Sequence, residues 1–379
     1  MDIVRREQIE ELASATWEHC ASMYLPTHNK GAEKMVEDPI HLKNLIKRTF
    51  DELVEHGART TEAREILEPA QNLIDDYGYW RYQGLGLALF CAPGFFREFR
   101  LPVKVEELSV VSNRFHLKPL LQAMADNGKF YVLALSAAEI RLLECSRFGY
   151  VRRQLPESVP TAIDQALLYL DTEYRLPDER GHTIANFRSG PSDPDAHERL
   201  LEYFQLVDRA LVREVLRDEN APLVLAGVEY LFPIYAKANT YKNLITEGVP
   251  GSPDERHDQE LHRLGWKVVA PLFRKEMEAE ADRFRYLEPS GRASRLIPEV
   301  VAAAHQGRVD TLFVATGVQH WGRFDPNTYT VDLHEQPEPG DEDMLDLAAL
   351  QTLRHNGKVL AVPPQEIPAD APVAAIFRY

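Results

Sequence analysis

Between Leu155 and Asp195 the chain collects side chains whose types suit chemistry. Arg180-Gly181-His182 and Arg188-Ser189-Gly190 each set a guanidinium close to a glycine, and His197 follows just beyond. Guanidinium groups grip phosphate in a bidentate fork, and glycine lets backbone come close to a ligand. The residues for nucleic-acid contact here are Arg180, Gly181, Arg188, Ser189 and Gly190; Arg180, His182 and Arg188 are the candidates for catalysis. The plainer reading is that Gly181 and Gly190 turn a surface loop. A second basic group lies far upstream, where Lys43, Lys47 and Arg48 at i, i+4 and i+5 share one helix flank. It is either a solvated face or a phosphate contact. Arg147, Arg152 and Arg153 before the excursion, with Arg175, Arg180 and Arg188 inside it, extend the first group.

Other chemistries fit less well. His257-Asp-Gln-Glu-Leu-His262 has its histidines five apart, which turns them about 140° from each other on a helix and argues against a shared zinc. Gly84-Leu-Gly86 lacks the third glycine of a dinucleotide loop and runs directly into a strand, so close packing explains it. No Gly-x-Ser-x-Gly elbow and no Gly-Lys-Ser/Thr phosphate loop occurs. No metal and no cofactor is expected. Glu229, Tyr230, Tyr235, Lys237, Asn239 and Tyr241 follow a strand at the end where open α/β sheets place ligands. Packing of a domain seam by Tyr230, Phe232 and Tyr235 is the favoured account. Gln319-His-Trp-Gly-Arg323 reads as an internally bonded loop or a partner surface.

The elements that must position these residues fall into three segments. In 1–128, Cys20-Ala-Ser-Met-Tyr-Leu25 is a strand, a helix starts at Asp38-Pro39, and another covers Thr61 to Asp75. Gly86 to Cys91 and Phe95 to Leu101 are strands, and Asn113-Arg-Phe-His-Leu-Lys-Pro-Leu-Leu121 leads into a short helix. In 129–220, strands Phe130 to Leu135, Ala138 to Cys145 and Phe148 to Leu155 precede the long loop 155–195, and a helix begins near Asp195. In 221–379, Leu223 to Ala226, Thr311 to Ala315, Lys358 to Val362 and Val373 to Phe377 are strands. Helices cover Gly265 to Asp282, Pro298 to a stop at Gly307, and Met344 to Leu353 with an Asn356-Gly357 cap. The alternation predicts an α/β fold with mixed sheets.

Composition bounds the rest. A chain of 379 residues exceeds a comfortable single core, and 44% hydrophobic residues suffice for ordinary ones. A net charge of −16 opposes general coating of nucleic acid but allows one local contact. Cys20, Cys91 and Cys145 read as reduced core residues of a cytoplasmic protein. No apolar run is long enough to cross a membrane.

Taken in order, these elements resemble the archaeo-eukaryotic class I release factors and Pelota, and most of all their bacterial versions. The similarity rests on the strand ending at Pro26, the Asn113 to His116 turn, the strand–excursion–helix–strand order of the middle segment, and the closing Gly357-Lys-Val-Leu-Ala-Val362 and Ala374-Ala-Ile-Phe-Arg-Tyr379. It implies a three-domain architecture ending in an L7Ae-like domain. It implies a ribosomal partner, with tRNA and a separate translational GTPase as further partners. In that family a Gly-Gly-Gln loop in the middle domain serves ester hydrolysis, yet this chain contains no Gly-Gly pair. The family's decoding tip, Asn-Ile-Lys-Ser, has only Asn44-Leu-Ile-Lys47 as a counterpart, without the Ser. The resemblance therefore leads to a factor that enters the ribosomal A site in rescue or dormancy without decoding stop codons. Two alternatives stay open: a hydrolase or nuclease acting on peptidyl-tRNA through the loop, and a scaffold unrelated to ribosomes.

Overall fold

Six apolar residues in a row, Phe130-Tyr-Val-Leu-Ala-Leu135, form a strand that is buried on both faces. This is β5 of the computed structural model, which describes residues 4–28, 34–124, 128–136, 139–159, 194–338 and 340–379. The chain divides into two compact units, Gly128–Arg274 and Met1–Asn127 with Lys275–Tyr379.

In the first unit, β5 is the middle of a five-stranded sheet of order β7-β6-β5-β8-β9. Its neighbours are β6, Arg141–Cys145, antiparallel, and β8, Leu223–Gly227, parallel. The edges are β7, Tyr150–Arg153, and β9, Val249–Pro250. A parallel neighbour requires a crossover. That crossover is the excursion, and it returns through α6, Pro194–Glu214. Successive β5 side chains point to opposite faces. Tyr131, Leu133 and Leu135 pack with Tyr203, Phe204, Val207 and Leu211 of α6. Phe130, Val132 and Ala134 join Leu261 and Val269 of α8, Asp258–Leu287. That helix is longer than the expected 265–282. Gly265 sits within it because a Cβ there would come within 2.7 Å of Val132 Cγ2, so its role is contact rather than termination. The short helix α7, Leu231–Ala238, follows β8. The expected boundary at 220/221 falls between α6 and β8, both in this unit.

The second unit holds the remaining sheets. The first is wholly antiparallel, of order β3-β2-β1-β4: β1 Thr16–Pro26, β2 Gly86–Ala92, β3 Phe95–Leu101 and β4 Leu108–Arg114. Helices α2, Lys34–Glu55, and α3, Thr60–Asn72, lay Leu42, Leu45, Ile46, Leu53, Ala63, Ile66 and Leu67 against it. The start expected at Asp38-Pro39 is corrected: α2 begins at Lys34 and Pro39 lies inside it. Asp38 turns inward instead, its carboxylate accepting from His28 N at 3.0 Å and facing His28 Nδ1 at 2.9 Å. The second sheet, β10-β16-β11-β15, pairs β11, Val309–Ala315, in parallel with β15, Lys358–Val362, and antiparallel with β16, Val373–Phe377; β10 is Ala293–Ser294. Helices α9, Ile297–His305, and α10, Met344–Arg354, accompany it, and Asn356 is left-handed at φ 58° as the cap requires.

A small third sheet of β12, Trp321–Asp325, β13, Thr330–Leu333, and β14, Glu342–Asp343, was not anticipated. Its strands are short and largely exposed, and the one alternation that marks them, Thr330-Val-Asp-Leu333, spans only four residues. Gln319–Arg323 is therefore partly strand: Gly322 lies under Asp332, whose carbonyl oxygen would be 2.2 Å from an added Cβ. The fold is mixed α/β with several sheets. Three further short helices are α1, Arg6–Ser14, α4, Tyr77–Trp80, and α5, Lys118–Gln122.

Candidate nucleic-acid interface

Helix α2 decides what the upstream cations can do. Its apolar residues Leu42, Leu45, Ile46 and Leu53 are buried, which leaves Lys43, Asn44, Lys47 and Arg48 outward. Lys43 and Lys47 stand one turn apart, and among the described residues neither has a carboxylate within ion-pairing distance. Arg48 differs: Glu107 lies 3.1 Å from its Nη1 and Glu52 3.8 Å from its Nε. The flank of three cations thus reduces to two available ones. Asn44 to Lys47 is in mid-helix, since α2 continues to Glu55, and so is not at a hairpin tip.

Carboxylates also meet the arginines before the excursion. Arg152 pairs with Glu139, and Arg153 with Glu144. Arg147 lies over the Phe148 ring at 5.1 Å. Arg175, Arg180, Gly181, His182, Arg188, Ser189 and Gly190 lie outside the described residues. His197 is exposed on α6. The structure therefore places the α2 cations and the flanks of the excursion, each within its own unit.

Sequence reasoning missed a buried polar cluster. The Asn113 to Lys118 turn inserts His116 and Lys118 beside the start of α10. Lys118 Nζ donates to Asp343 Oδ2 at 2.5 Å and to the Val318 carbonyl. Asp346 Oδ1 accepts from Leu117 N at 2.8 Å and Lys118 N at 2.5 Å, and His116 Nδ1 stands 3.8 Å from it. Burial pushes the Asp346 carboxyl up and the His116 imidazole down. His116, Asp343 and Asp346 line one small crevice with Ser112, Arg114 and Glu342. The only local sign was a lysine in an otherwise apolar run, Leu117-Lys-Pro-Leu-Leu121. Its partners are two hundred or more residues away, so spacing could not reveal them.

His262 is structural. Its ring lies 6.1 Å from Phe130 and 5.6 Å from Tyr150, and Nε2 donates to the Ser146 carbonyl at 2.9 Å. Burial holds its pKa below the usual value, outweighing the opposing effect of that carbonyl. A lowered folded pKa gives stability that is present above about pH 6.5 and lost as pH falls. His262→Phe is expected to lose about 1 kcal/mol at pH 7.5 with the hydrogen bond, yet to change less between pH 7.5 and 5.5 than the parent chain. Urea midpoints at the two pH values check this, and an equal acid-induced drop in both proteins would refute it.

Three side chains, His334, Glu338 and Asp341, lie close enough to share a cation. Arg323 already serves their carboxylates, at 3.2 Å from Asp341 and 3.5 Å from Glu338. In the segment after β8, Tyr235 is in the core of its unit and Tyr241 Oη donates to the Ala221 carbonyl at 2.6 Å. Asp208 accepts from both Thr240 N and Thr240 Oγ1. These residues hold the unit together.

Comparison with known proteins finds a family resemblance over part of the chain. Residues 129–308 match the family model of bacterial archaeo-eukaryotic release factor family 3. No curated protein matches. Among solved structures, an archaeal translation termination factor, aRF1, aligns over 100% of this chain and 99% of its own at 12% identity, with a TM-score of 0.24. Archaeoglobus fulgidus Pelota aligns over 77% of this chain and 79% of its own at 13% identity and 0.28. Dom34 of S. cerevisiae, a translation termination-like factor, covers 76% and 74% at 11% identity and 0.35. Scores this low transfer no residue roles. The chain thus resembles the bacterial archaeo-eukaryotic release factors, through a match that spans the five-stranded sheet, its crossover and helix α8.

Proposed function

We propose that this chain is a translation factor that binds the ribosome and enters its A site in rescue or dormancy, without decoding stop codons. The observation that carries the reading is the release-factor family match over residues 129–308. Within the matched segment, as in the whole chain, no Gly-Gly pair exists to bring backbone against a peptidyl ester. That favours binding over hydrolysis. The overall charge of −16 requires any RNA contact to be local, and Lys43 and Lys47 are two outward cations without carboxylate partners among the described residues. Arg180, Gly181, Arg188, Ser189 and Gly190 complete the proposed contact. tRNA, a delivering GTPase and a cytoplasmic location belong to the same proposal.

Sedimentation of tagged protein from growing and stationary lysates is the direct test. Co-migration with 50S or 70S particles is expected in at least one, and absence from both removes the reading. Lys43→Glu with Lys47→Glu is expected to weaken ribosome binding and to lower its salt slope by about 2, one for each lost phosphate contact. An unchanged slope would take α2 out of the interface. Incubation with stalled ribosome–nascent-chain complexes addresses hydrolysis. Peptide release or tRNA shortening that disappears in the Arg180→Ala, His182→Ala, Arg188→Ala variant would replace the binding role with an enzymatic one.

A further inference from the structure

Four strands of the second unit each carry a cation at the same end. In the sheet β10-β16-β11-β15, Arg292 precedes β10, Arg378 follows β16, Arg308 precedes β11 and Lys358 opens β15. The strand pairings bring these four positions side by side. Phe377 N donates to the Arg292 carbonyl at 2.9 Å and Arg378 N to the Arg308 carbonyl at 2.8 Å, which fixes the register there. With neighbouring strands about 4.8 Å apart, the row runs for roughly 14 Å.

No acid answers this row. Among the described residues, no side-chain carboxylate lies within ion-pairing distance of Arg292, Arg308, Lys358 or Arg378, because the neighbouring Asp310 pairs with Arg283 at 2.8 Å and Glu288 with Arg295 at 3.3 Å. Main-chain oxygens hold two of the guanidiniums instead: Arg378 Nη2 donates to the His355 carbonyl at 2.7 Å, and Arg308 Nη2 to the Tyr379 carbonyl at 3.4 Å. The first is a helix-end contact behind α10, and a helix C-terminus carries only about half a negative charge. A chain end at Tyr379 offsets one charge more, so a positive excess remains. Arg308 and Arg378 stand opposite each other on adjacent strands, an arrangement of like charges that costs stability until something neutralises it. The row also holds a ring. The Arg308 guanidinium carbon lies 5.8 Å from the centre of the Tyr379 ring, and Tyr379 is 71% exposed, as Arg292, Lys358 and Arg378 are also exposed.

We infer that this end of the sheet binds the phosphate backbone of single-stranded RNA, with Tyr379 stacking one base. A row of cations on four strands outreaches any single anion, so its complement is a chain of anions. Guanidinium forks beside an open ring suit phosphates that alternate with bases, whereas a run of acidic side chains offers the ring nothing to stack on. In a chain of net charge −16, such a local excess is what a nucleic-acid contact requires. The choice of RNA over DNA rests on the proposed ribosomal role; the choice of a polyanion does not.

The test titrates the full chain against a fluorescein-labelled oligouridylate and reads anisotropy over a range of salt. Arg292→Gln with Lys358→Gln and Arg378→Gln should lower the salt slope by about 2, for three single-strand phosphates, and weaken binding about a hundredfold at 0.1 M salt. Arg152→Gln with Arg213→Gln and Arg285→Gln removes as much charge from arginines that carboxylates already hold, and its slope should match the parent's. Tyr379→Ala should weaken binding on the order of tenfold, whereas Tyr379→Phe keeps the ring and should not. A parent that does not bind, a row variant with the parental slope, a control variant that loses as much, or a polyglutamate peptide that competes as well as oligouridylate each overturns the proposal. Equal binding of an oligothymidylate overturns the assignment to RNA. Ribosome sedimentation separates this surface from the proposed function. A chain that sediments with ribosomes but ignores oligouridylate loses only the surface, and one that binds oligouridylate but never sediments loses only the ribosomal role.

Discussion

Lys118→Met is expected to lower the stability of its unit by about 3–5 kcal/mol, the range for removing one partner of a buried ion pair. The Lys118 side chain is 1% exposed and that of Asp343 0%, so neither charge has water to turn to. Methionine fills much of the volume but leaves Asp343 Oδ2 and the Val318 carbonyl without their donor. The other Asp343 oxygen keeps its hydrogen bonds from His320 N at 3.0 Å and Leu345 N at 3.1 Å, so the start of α10 stays capped. Adding Asp343→Asn removes the stranded charge while retaining an acceptor for those donors. The double variant should therefore recover a large part of the loss. Hydrogen exchange by mass spectrometry gives the location. Peptides covering 113–122 and 343–347 should exchange faster, whereas β5 and β8, in the other unit, should not. If exchange at 113–122 and the urea midpoint both stay at parental values, Lys118 is not a structural tie.

Gly84→Ala carries the second large effect. A Cβ at position 84 would lie 2.1 Å from the Leu101 carbonyl oxygen and 2.9 Å from its carbon, and these are backbone atoms that no side-chain rotation can move. The chain beside β2 must separate from β3, where Leu85 N donates to the Leu101 carbonyl at 2.8 Å. The cost expected for such overpacking is about 1–3 kcal/mol or more. Gly94, at φ +70° in open space, is the contrast. There alanine meets no neighbour, and its penalty comes from the left-handed backbone alone, roughly 1 kcal/mol. Thermal unfolding of the two variants ranks them, and a Gly94 variant that melts lower than the Gly84 variant would contradict the packing account. The same geometry explains why Gly84-Leu-Gly86 is not a dinucleotide loop: the missing side chains admit Leu101 and Val103, not a ligand.

Much of the fold was legible because strands buried on both faces, such as Phe130–Leu135 and Val373–Phe377, are written as continuous apolar runs. These two, and the more exposed Phe95–Leu101 and Lys358–Val362, have the bounds expected of them. Glycine and proline signals were less dependable. Pro298 and Gly307 bracket α9 as helix-end rules require. Pro39, Gly265 and Pro271, by contrast, lie inside helices whose tertiary packing outweighs their local preference. In the small sheet the period-2 signal is confined to Thr330-Val-Asp-Leu333, too short to stand out from a loop.

The sequence by itself determined which chemistry the chain lacks and what order its elements take. It contains no Gly-Gly, no phosphate-binding loop and no paired zinc histidines, and its element order was enough to point to release factors. Only the tertiary structure decided which cations are available for contact. Arg48, Arg152 and Arg153 looked equal to Lys43 and Lys47 along the chain, yet Glu107, Glu139 and Glu144 meet them in space. It also buried Lys118 against Asp343, 225 residues away. Local spacing sets periodicity and turns, whereas charge compensation depends on which distant side chains the fold brings within a few ångströms.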